Sequence, residues 1–292
     1  MITSAQIKQN FSVAPSVENQ WCSGCGNFPI LQTLKKVLQE RDIAPQNVTL
    51  VSGVGQAAKL PQYVKCNFFN GLHGRALPVA TGIKIANPDQ TVIVSSGDGD
   101  VYGEGGNHLI HAIRRNPNIT VIVHDNMIYG LTLGQASPTT TEKTVSPVQP
   151  YGVINEPINP LALAISLDAP FVARAYAGNP QHMESIISQA IAHKGFSLVD
   201  VLQPCVVFNK INTYQWFNDH SYVLETSHDL ADRAEAFRCA IQVDKFPLGI
   251  IYKHDRRRVY EETIGSYAKD HKPLYMRKTS CAIRTALMLA QK

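Results

Sequence analysis

Charge is scarce in this 292-residue sequence. Asp, Glu, Lys and Arg together make up 17%, and 27 basic against 23 acidic residues leave a net charge of only +4. So slight an excess gives no electrostatic footprint for nucleic acid. The one short basic run, Arg256-Arg257-Arg258, is followed closely by Glu261 and Glu262, the pattern of a solvated surface. Long apolar runs are missing as well. Nothing approaches the roughly 18–20 continuous apolar residues that span a bilayer. The opening stretch, MITSAQIKQNFSVAPSVENQ, has no apolar signal core, so neither membrane insertion nor export is expected. There is no internal repeat. Cysteine is sparse, with Cys22, Cys25, Cys66, Cys205, Cys239 and Cys281. Without an export signal a reducing, cytoplasmic setting is expected, and there Cys22-x-x-Cys25 points to metal or redox chemistry rather than a disulfide. What the chain does have is apolar bulk: 44% hydrophobic residues, which excludes a disordered or collagen-like polymer. The length suits one large domain or two ordinary ones.

The apolar segments alternate in period. Pro29–Asp42 sets Ile30, Leu31, Leu34, Val37 and Leu38 on one helical face. Asn47–Val54, Thr91–Ser95, Ile119–Val123, Phe171–Tyr176 and Phe196–Leu202 read as strands, several of them continuous β-branched runs. Asn107–Arg115, Leu161–Leu167 and Gln181–His193 read as helices between them. Apolar strands separated by helices predict an α/β fold, a mostly parallel sheet with helices on both faces. In such sheets ligands bind beyond the carboxyl ends of the strands. GVGQ, GDGD, HDN and PC stand at four such ends. A polar stretch, Ser137–Pro150, interrupts the alternation, and beyond residue 222 the pattern weakens to a polar tail with a last helical stretch, Ile283–Gln291. The expected division is a domain over 1–222 and an extension over 223–292, packing on the core or on a partner.

Gly97-Asp98-Gly99 at one strand end and Asp125-Asn126 at the next form the pair with most chemical content. A diphosphate with Mg²⁺ needs oxygen ligands from a carboxylate, an amide and often a backbone carbonyl. Asp98, Asn126 and Ile128 stand where these are needed. The diphosphate also needs open backbone near a helix start, which Gly97, Gly99, Gly105 and Gly106 offer. The bland alternative, a turn and a helix cap, suits an isolated GDG better than this strand–GDG–helix–strand–DN succession.

The GDG with its downstream Asn resembles the thiamine diphosphate motif. The wording around it is more specific. WCSGCGNF, SGVGQAAK, GLHGRALPVATGIKIANPD, GDGDVYGEGGNHLIHAIRRN, IYGLTLGQASPT and DVLQPCVVFN resemble the β subunit of the 2-oxoacid:ferredoxin oxidoreductases over residues 15–222. The resemblance implies a thiamine diphosphate-binding fold with Mg²⁺, one [4Fe–4S] cluster, and a separate α subunit, in a dimer of αβ heterodimers. The implied reaction is CoA-dependent oxidative decarboxylation of a 2-oxoacid, with 2-oxoglutarate slightly ahead of pyruvate. Electrons pass to ferredoxin, and the reverse reaction is reductive carboxylation. The cofactor is expected to touch Val54, Gly55, Gln56, His73, Gly97, Gly99, Asp100, Gly130, Leu131 and Thr132. Lys59, His73 and Arg75 are the candidate catalytic residues: Lys59 as an anion contact, His73 for the diphosphate or the substrate, and Arg75 for a carboxylate or phosphate of substrate or CoA, or as a brace of its loop. His108, His111 and His124 read as structural. Leu133 stands where some relatives carry a lysine, which separates this chain from their substrate preference.

For the cluster, the family uses the two N-terminal cysteines, here Cys22 and Cys25, one after Gln-Pro, here Cys205, and a fourth in a GIGC-like loop. Here that loop reads Gly53-Val54-Gly55-Gln56. Cys66 is the nearby thiol and is expected to take over the fourth position, with Gln56 turned to the cofactor. The alternatives are a three-cysteine cluster or a non-cysteine ligand. Cys239 and Cys281 read as structural. Two other readings fit the residues: a non-redox thiamine-dependent enzyme with structural zinc, and a non-catalytic metal scaffold.

Overall fold

The computed structural model describes residues 10–242, 245–277 and 289. In chain order the elements that matter are α1 (Asn27–Glu40), β1 (Val48–Ser52), β2 (Asn67–Asn70), α2 (Ala76–Ala86), β3 (Thr91–Gly97), α3 (Gly106–Arg115), β4 (Ile119–Asp125), α4 (Pro160–Ser166), β5 (Phe171–Tyr176), α5 (Pro180–Ala192), β6 (Ser197–Leu202), α6 (Tyr214–Asp219), β7 (Ser221–Val223), α7 (Arg233–Ala240) and β8 (Phe246–Lys253). The eight strands form one sheet in the order β2-β1-β3-β4-β6-β5-β8-β7. The six strands from β2 to β5 in that order run parallel, and β8 pairs antiparallel with β5.

The β-branched runs become the middle strands because both of their faces are covered. One face packs α2, α3, α4 and α7 around Val92, Val94, Val121, Val123, Leu198 and Tyr252. The other packs α1 and α5 around Leu50, Ile93, Ile122, Phe171, Ala173 and Val199. Each fully buried aliphatic side chain in these layers contributes about 1.5–3 kcal/mol. The α1 face read from periodicity is the buried one: Ile30, Leu31, Leu34, Val37 and Leu38 all lie inside. Helices α4 and α5 start where Asn159 and Asn179 accept from the backbone N–H of Ala162 and His182, each followed by proline at the first turn.

Beyond residue 202 the structure adds what periodicity did not show. β7 straddles the boundary expected at residue 222, and β8 extends the same sheet. β8 reads FPLGIIYK, where Pro247 and Gly249 hide a strand signal. Cys239 is buried in the first core layer, in accord with a structural role. Cys281 and all of Ile283–Gln291 except residue 289 lie outside the described residues. Among the described residues no helix is long and apolar enough to cross a membrane.

Candidate active site

Two adjoining pockets open at the carboxyl ends of β1, β3, β4 and β6. All ten expected cofactor contacts share one cleft with the three expected metal ligands: Val54, Gly55, Gln56, His73, Gly97, Asp98, Gly99, Asp100, Asn126, Ile128, Gly130, Leu131 and Thr132 all line it. Gly55 has φ +113°, a left-handed backbone that side chains resist, and a Cβ there would meet nothing within 4 Å. The β1 loop therefore turns into the cleft on glycine without any packing demand, which leaves room for a ligand. The chain after Asp98 enters a wide helical turn, Gly99–Glu104, in which the Gly105 N–H reaches back to the Asp100 carbonyl at 2.8 Å. Such turns widen the helix and re-aim its amides, often at functional sites.

Asp98 is 2% exposed. The Thr139 hydroxyl lies 2.7 Å from its Oδ2 and 2.8 Å from Asp125 Oδ1, so a single proton serves two carboxylates. Asp200 adds a third buried carboxylate, held by the Tyr102 hydroxyl at 2.8 Å and Arg174 Nε at 2.9 Å. Burial pushes Asp98 up to about 6, and it pushes Asp125 well above the carboxylate range, with Asp200 and Asp98 repelling it further. One guanidinium does not balance three carboxylates, and a divalent cation beside Asp98 would. Among the described residues no three His, Cys, Asp or Glu side chains converge as a complete set for one ion. The donor set fits Mg²⁺ held by few protein ligands, which takes its remaining oxygens from phosphate and water. Asn126 lines the cleft and accepts from the Ile128 N–H at 3.0 Å, fixing the turn that carries both residues.

His73 meets the cleft through a buried brace. Asp100 accepts from the Gly74 N–H at 2.7 Å, the Val54 N–H at 3.2 Å and the Ser96 hydroxyl at 2.5 Å, and His73 Nδ1 lies 2.6 Å from it. Asp100 thus ties the β1 loop, the β3 end and the His73 loop together, and Nδ1 is the ring nitrogen it occupies. Arg75 and Lys59 do not line this cleft. Arg75 is exposed with Nη1 2.8 Å from His108 Nε2, and Lys59 sits in the helical turn Ala57–Tyr63. His124 is fully buried between Ser95 and Asn27, where burial drives it down to about 3 and keeps it neutral.

The second pocket collects Cys22, Cys25 and Cys205 with Gln56 and Gln203. Burial pushes the Cys25 thiol up to about 11, and Cys205 and Cys22 are close enough to raise it further. Gly26 makes this convergence possible. A Cβ there would stand 2.7 Å from Gln203 Cβ and 3.3 Å from its Cα, so glycine lets the Cys25 turn lie against Gln203-Pro204-Cys205. The two pockets share Gln56, Asn126 and Gly130 as a wall. A Cβ on Gly130 would be 3.5 Å from Cys205 Sγ.

Cys66 does not join the other thiols, contrary to the expectation that it is the fourth ligand. The turn Ala57–Tyr63 does double back, but it returns the chain to the start of β2, which runs parallel to β1 with Asn67 opposite Thr49. Cys66 therefore stands at the amino end of β1, while Gln56 lies past the carboxyl end. A strand of five residues separates the two, about 16 Å. Cys66 packs against the second core layer, and burial pushes its thiol up to about 12.

Several site residues carried no readable signal. Thr139 and Ser137 come from a stretch that reads only as polar loop, and Tyr129, whose hydroxyl donates to the Gly99 carbonyl at 3.1 Å, sits in a loop. Arg174 and Asp200 did leave a trace, as lone charges inside apolar strands. The sheet sets them opposite each other.

Residues 48–201 match the family model described as thiamine pyrophosphate enzyme, C-terminal TPP binding domain, and residues 205–269 match the model for the C-terminal part of the pyruvate ferredoxin oxidoreductase beta subunit. The chain is 42% identical over 272 residues to the 2-oxoacid:ferredoxin oxidoreductase subunit beta of a Sulfolobus species, covering 88% of each chain. It is 40% identical over 207 residues to the 2-oxoglutarate oxidoreductase subunit KorB of Mycobacterium tuberculosis, covering 71% of this chain and 56% of that one. Among solved structures it superimposes with a TM-score of 0.86, at 34% identity, on the 2-oxoglutarate:ferredoxin oxidoreductase of Magnetococcus marinus with 2-oxoglutarate, coenzyme A and succinyl-CoA bound. That match covers 97% of this chain and 94% of the other.

Proposed function

This chain belongs to the β subunits of the 2-oxoacid:ferredoxin oxidoreductases, and from that premise we propose that with its α subunit it oxidatively decarboxylates 2-oxoglutarate ahead of pyruvate. The acyl group passes to CoA and the electrons pass one at a time through an iron–sulfur cluster to ferredoxin. The observation that carries the reading is the shared wall of Gln56, Asn126 and Gly130, which sets a diphosphate cleft directly against a pocket of thiols. The preference for 2-oxoglutarate is supported by the relatives that bear its name.

Bound thiamine diphosphate supplies the carbanion chemistry that decarboxylation needs. The residues of this chain hold and orient. Asp98, Asn126 and the Ile128 carbonyl would hold Mg²⁺ against the diphosphate. The backbone at Gly97 and Gly99 would approach the phosphate oxygens. Asp100 fixes His73 through Nδ1 and leaves Nε2 for the cleft. Cys22, Cys25 and Cys205 would hold the cluster on the far side of the shared wall. Exposed apolar side chains line the cleft, Val54 at 42% and Leu131 at 44%, and Leu72 and Leu133, next in the chain to lining residues His73 and Thr132, are exposed at 76% and 62%. An α subunit laid over these side chains would exclude water and complete the cofactor site, and two such αβ units would pair.

The test is a substrate panel on the purified αβ complex, with reduction of ferredoxin or a viologen dye as the readout. The expected result is reduction that depends on thiamine diphosphate, CoA and a 2-oxoacid, fastest with 2-oxoglutarate. Reduction by no 2-oxoacid, or undiminished reduction without thiamine diphosphate, would refute the reading.

A further inference from the structure

A [4Fe–4S] cube offers four irons and takes a thiolate at each. The thiol pocket supplies three, from Cys22, Cys25 and Cys205. At the place left for a fourth stands Gln56. Its backbone is fixed there, because the indole N–H of Trp21 donates to the Gln56 carbonyl at 2.8 Å and Trp21 is itself wedged edge-on against Phe28 and Tyr63. The Gln56 Oε1 is buried and accepts no hydrogen bond, and so is the Gln203 Oε1 in the same pocket. Two orphaned amide oxygens, on side chains that line the same pocket as the three thiols, mark a place that the chain alone does not complete. Among the described residues the other thiols stand elsewhere, Cys66 at the opposite end of β1 and Cys239 in the first core layer.

Building on the cluster assigned above, we infer that this chain binds its iron–sulfur cluster through three thiolates only, and that the iron at the corner facing Gln56 is exchangeable. An amide oxygen is a hard, neutral donor, poorly matched to iron in a sulfide cube, so it shields that corner without anchoring it. Losing the corner is a balanced step. The oxidised cube, [4Fe–4S]²⁺, releases one Fe²⁺ and gives one electron to an oxidant such as ferricyanide, leaving [3Fe–4S]⁺ on the same three thiolates. Adding Fe²⁺ and one electron from dithionite reverses it. Such a cluster ties electron transfer in this subunit to the supply of ferrous iron.

The experiment uses the αβ complex purified without oxygen, treated with ferricyanide and a chelator, and read by iron and sulfide content and by EPR. The wild type is expected to release one iron per β chain and to show the EPR signal of an oxidised three-iron cluster, which an oxidised four-iron cluster lacks. Gln56→Ala should do the same, and Fe²⁺ with dithionite should erase the signal. Gln56→Cys should keep all four irons and stay silent under the same treatment. A wild-type cluster that holds four irons through the treatment would overturn the inference. A wild type without iron beside an iron-loaded Gln56→Cys would overturn the whole inference, because three thiolates would then not hold a cluster, while leaving the pocket as the cluster's place. Absence of iron and sulfide from both proteins would instead overturn the cluster assignment on which the inference rests.

Discussion

Replacing Asp100 with Ala should loosen the cleft through the loops that Asp100 ties together, while leaving Asp98, Asn126 and Ile128 in place. Four donors converge on this carboxylate, and two of them, the Gly74 N–H and the Ser96 hydroxyl, are buried. The other two belong to exposed residues, Val54 and His73, that water can reach. Each buried donor left without an acceptor costs about 1–3 kcal/mol, so the two together cost about 4 kcal/mol. For a chain of this size each kcal/mol moves the melting midpoint by about 2–4 °C, which gives a fall of about 8–16 °C. Asp100→Asn keeps one acceptor oxygen and loses the charge, and should lose about half as much, since charge-assisted bonds are roughly twice as strong as neutral ones. The assay is thermal unfolding of the β chain followed by circular dichroism, with thiamine diphosphate affinity of the αβ complex measured in parallel. Affinity should fall with stability, because Val54 and His73 lose their common anchor. A melting midpoint for Asp100→Ala within about 2 °C of the wild type would refute the brace.

Asp98→Ala should lower thiamine diphosphate and Mg²⁺ retention by the αβ complex at least about tenfold, the usual cost of one hard ligand or its support, as measured by cofactor content after gel filtration. Arg174→Leu removes the guanidinium from Asp200 inside the sheet and should cost about 3–5 kcal/mol in urea unfolding of the β chain, because it leaves a buried carboxylate short of its counter-charge. Cys66→Ser should leave iron content unchanged, whereas Cys205→Ser should lower it. The Cys66 thiol is held protonated by burial up to about 12, so alkylation of the native chain at this position should stay slow at pH values where an exposed thiol reacts. The sign for stability follows: the native thiol keeps its proton where the unfolded one ionises, so this group favours the native state less as pH rises through the ordinary thiol range near 9.

The middle of the sheet was legible because its strands are buried on both faces and so carry mainly apolar, β-branched runs, interrupted by single polar residues such as Arg174 and Asp200. The helices that cover it show the complementary stripe. β2 was not legible. It reads Asn67-Phe68-Phe69-Asn70, lies at the sheet edge with all four residues exposed, and so has no inward face to impose alternation. α2 begins directly after His73-Gly74-Arg75 and contains Pro78 and Gly82, which read as breakers. The cleft itself was legible at the strand ends, because glycine, aspartate and asparagine at those points have few other uses. Its supports were not, since Thr139 acts across the fold on Asp98 and nothing local distinguishes it. The misplacement of Cys66 has the same origin. Ten residues suffice for a loop to return to the cluster, and only the direction of β2 decides that the chain instead runs to the other end of β1.

The cleft and the thiol pocket share one wall, so electrons from the substrate should reach a cluster held there before any outside acceptor is present. Anaerobic addition of 2-oxoglutarate and CoA to the oxidised αβ complex, loaded with thiamine diphosphate and Mg²⁺ but without ferredoxin or dye, measures this directly. Immediate bleaching of the brown cluster absorbance and a reduced-cluster EPR signal are expected, both abolished in Asp98→Ala. A fully loaded complex that stays brown and EPR-unchanged with every 2-oxoacid tried would contradict this transfer.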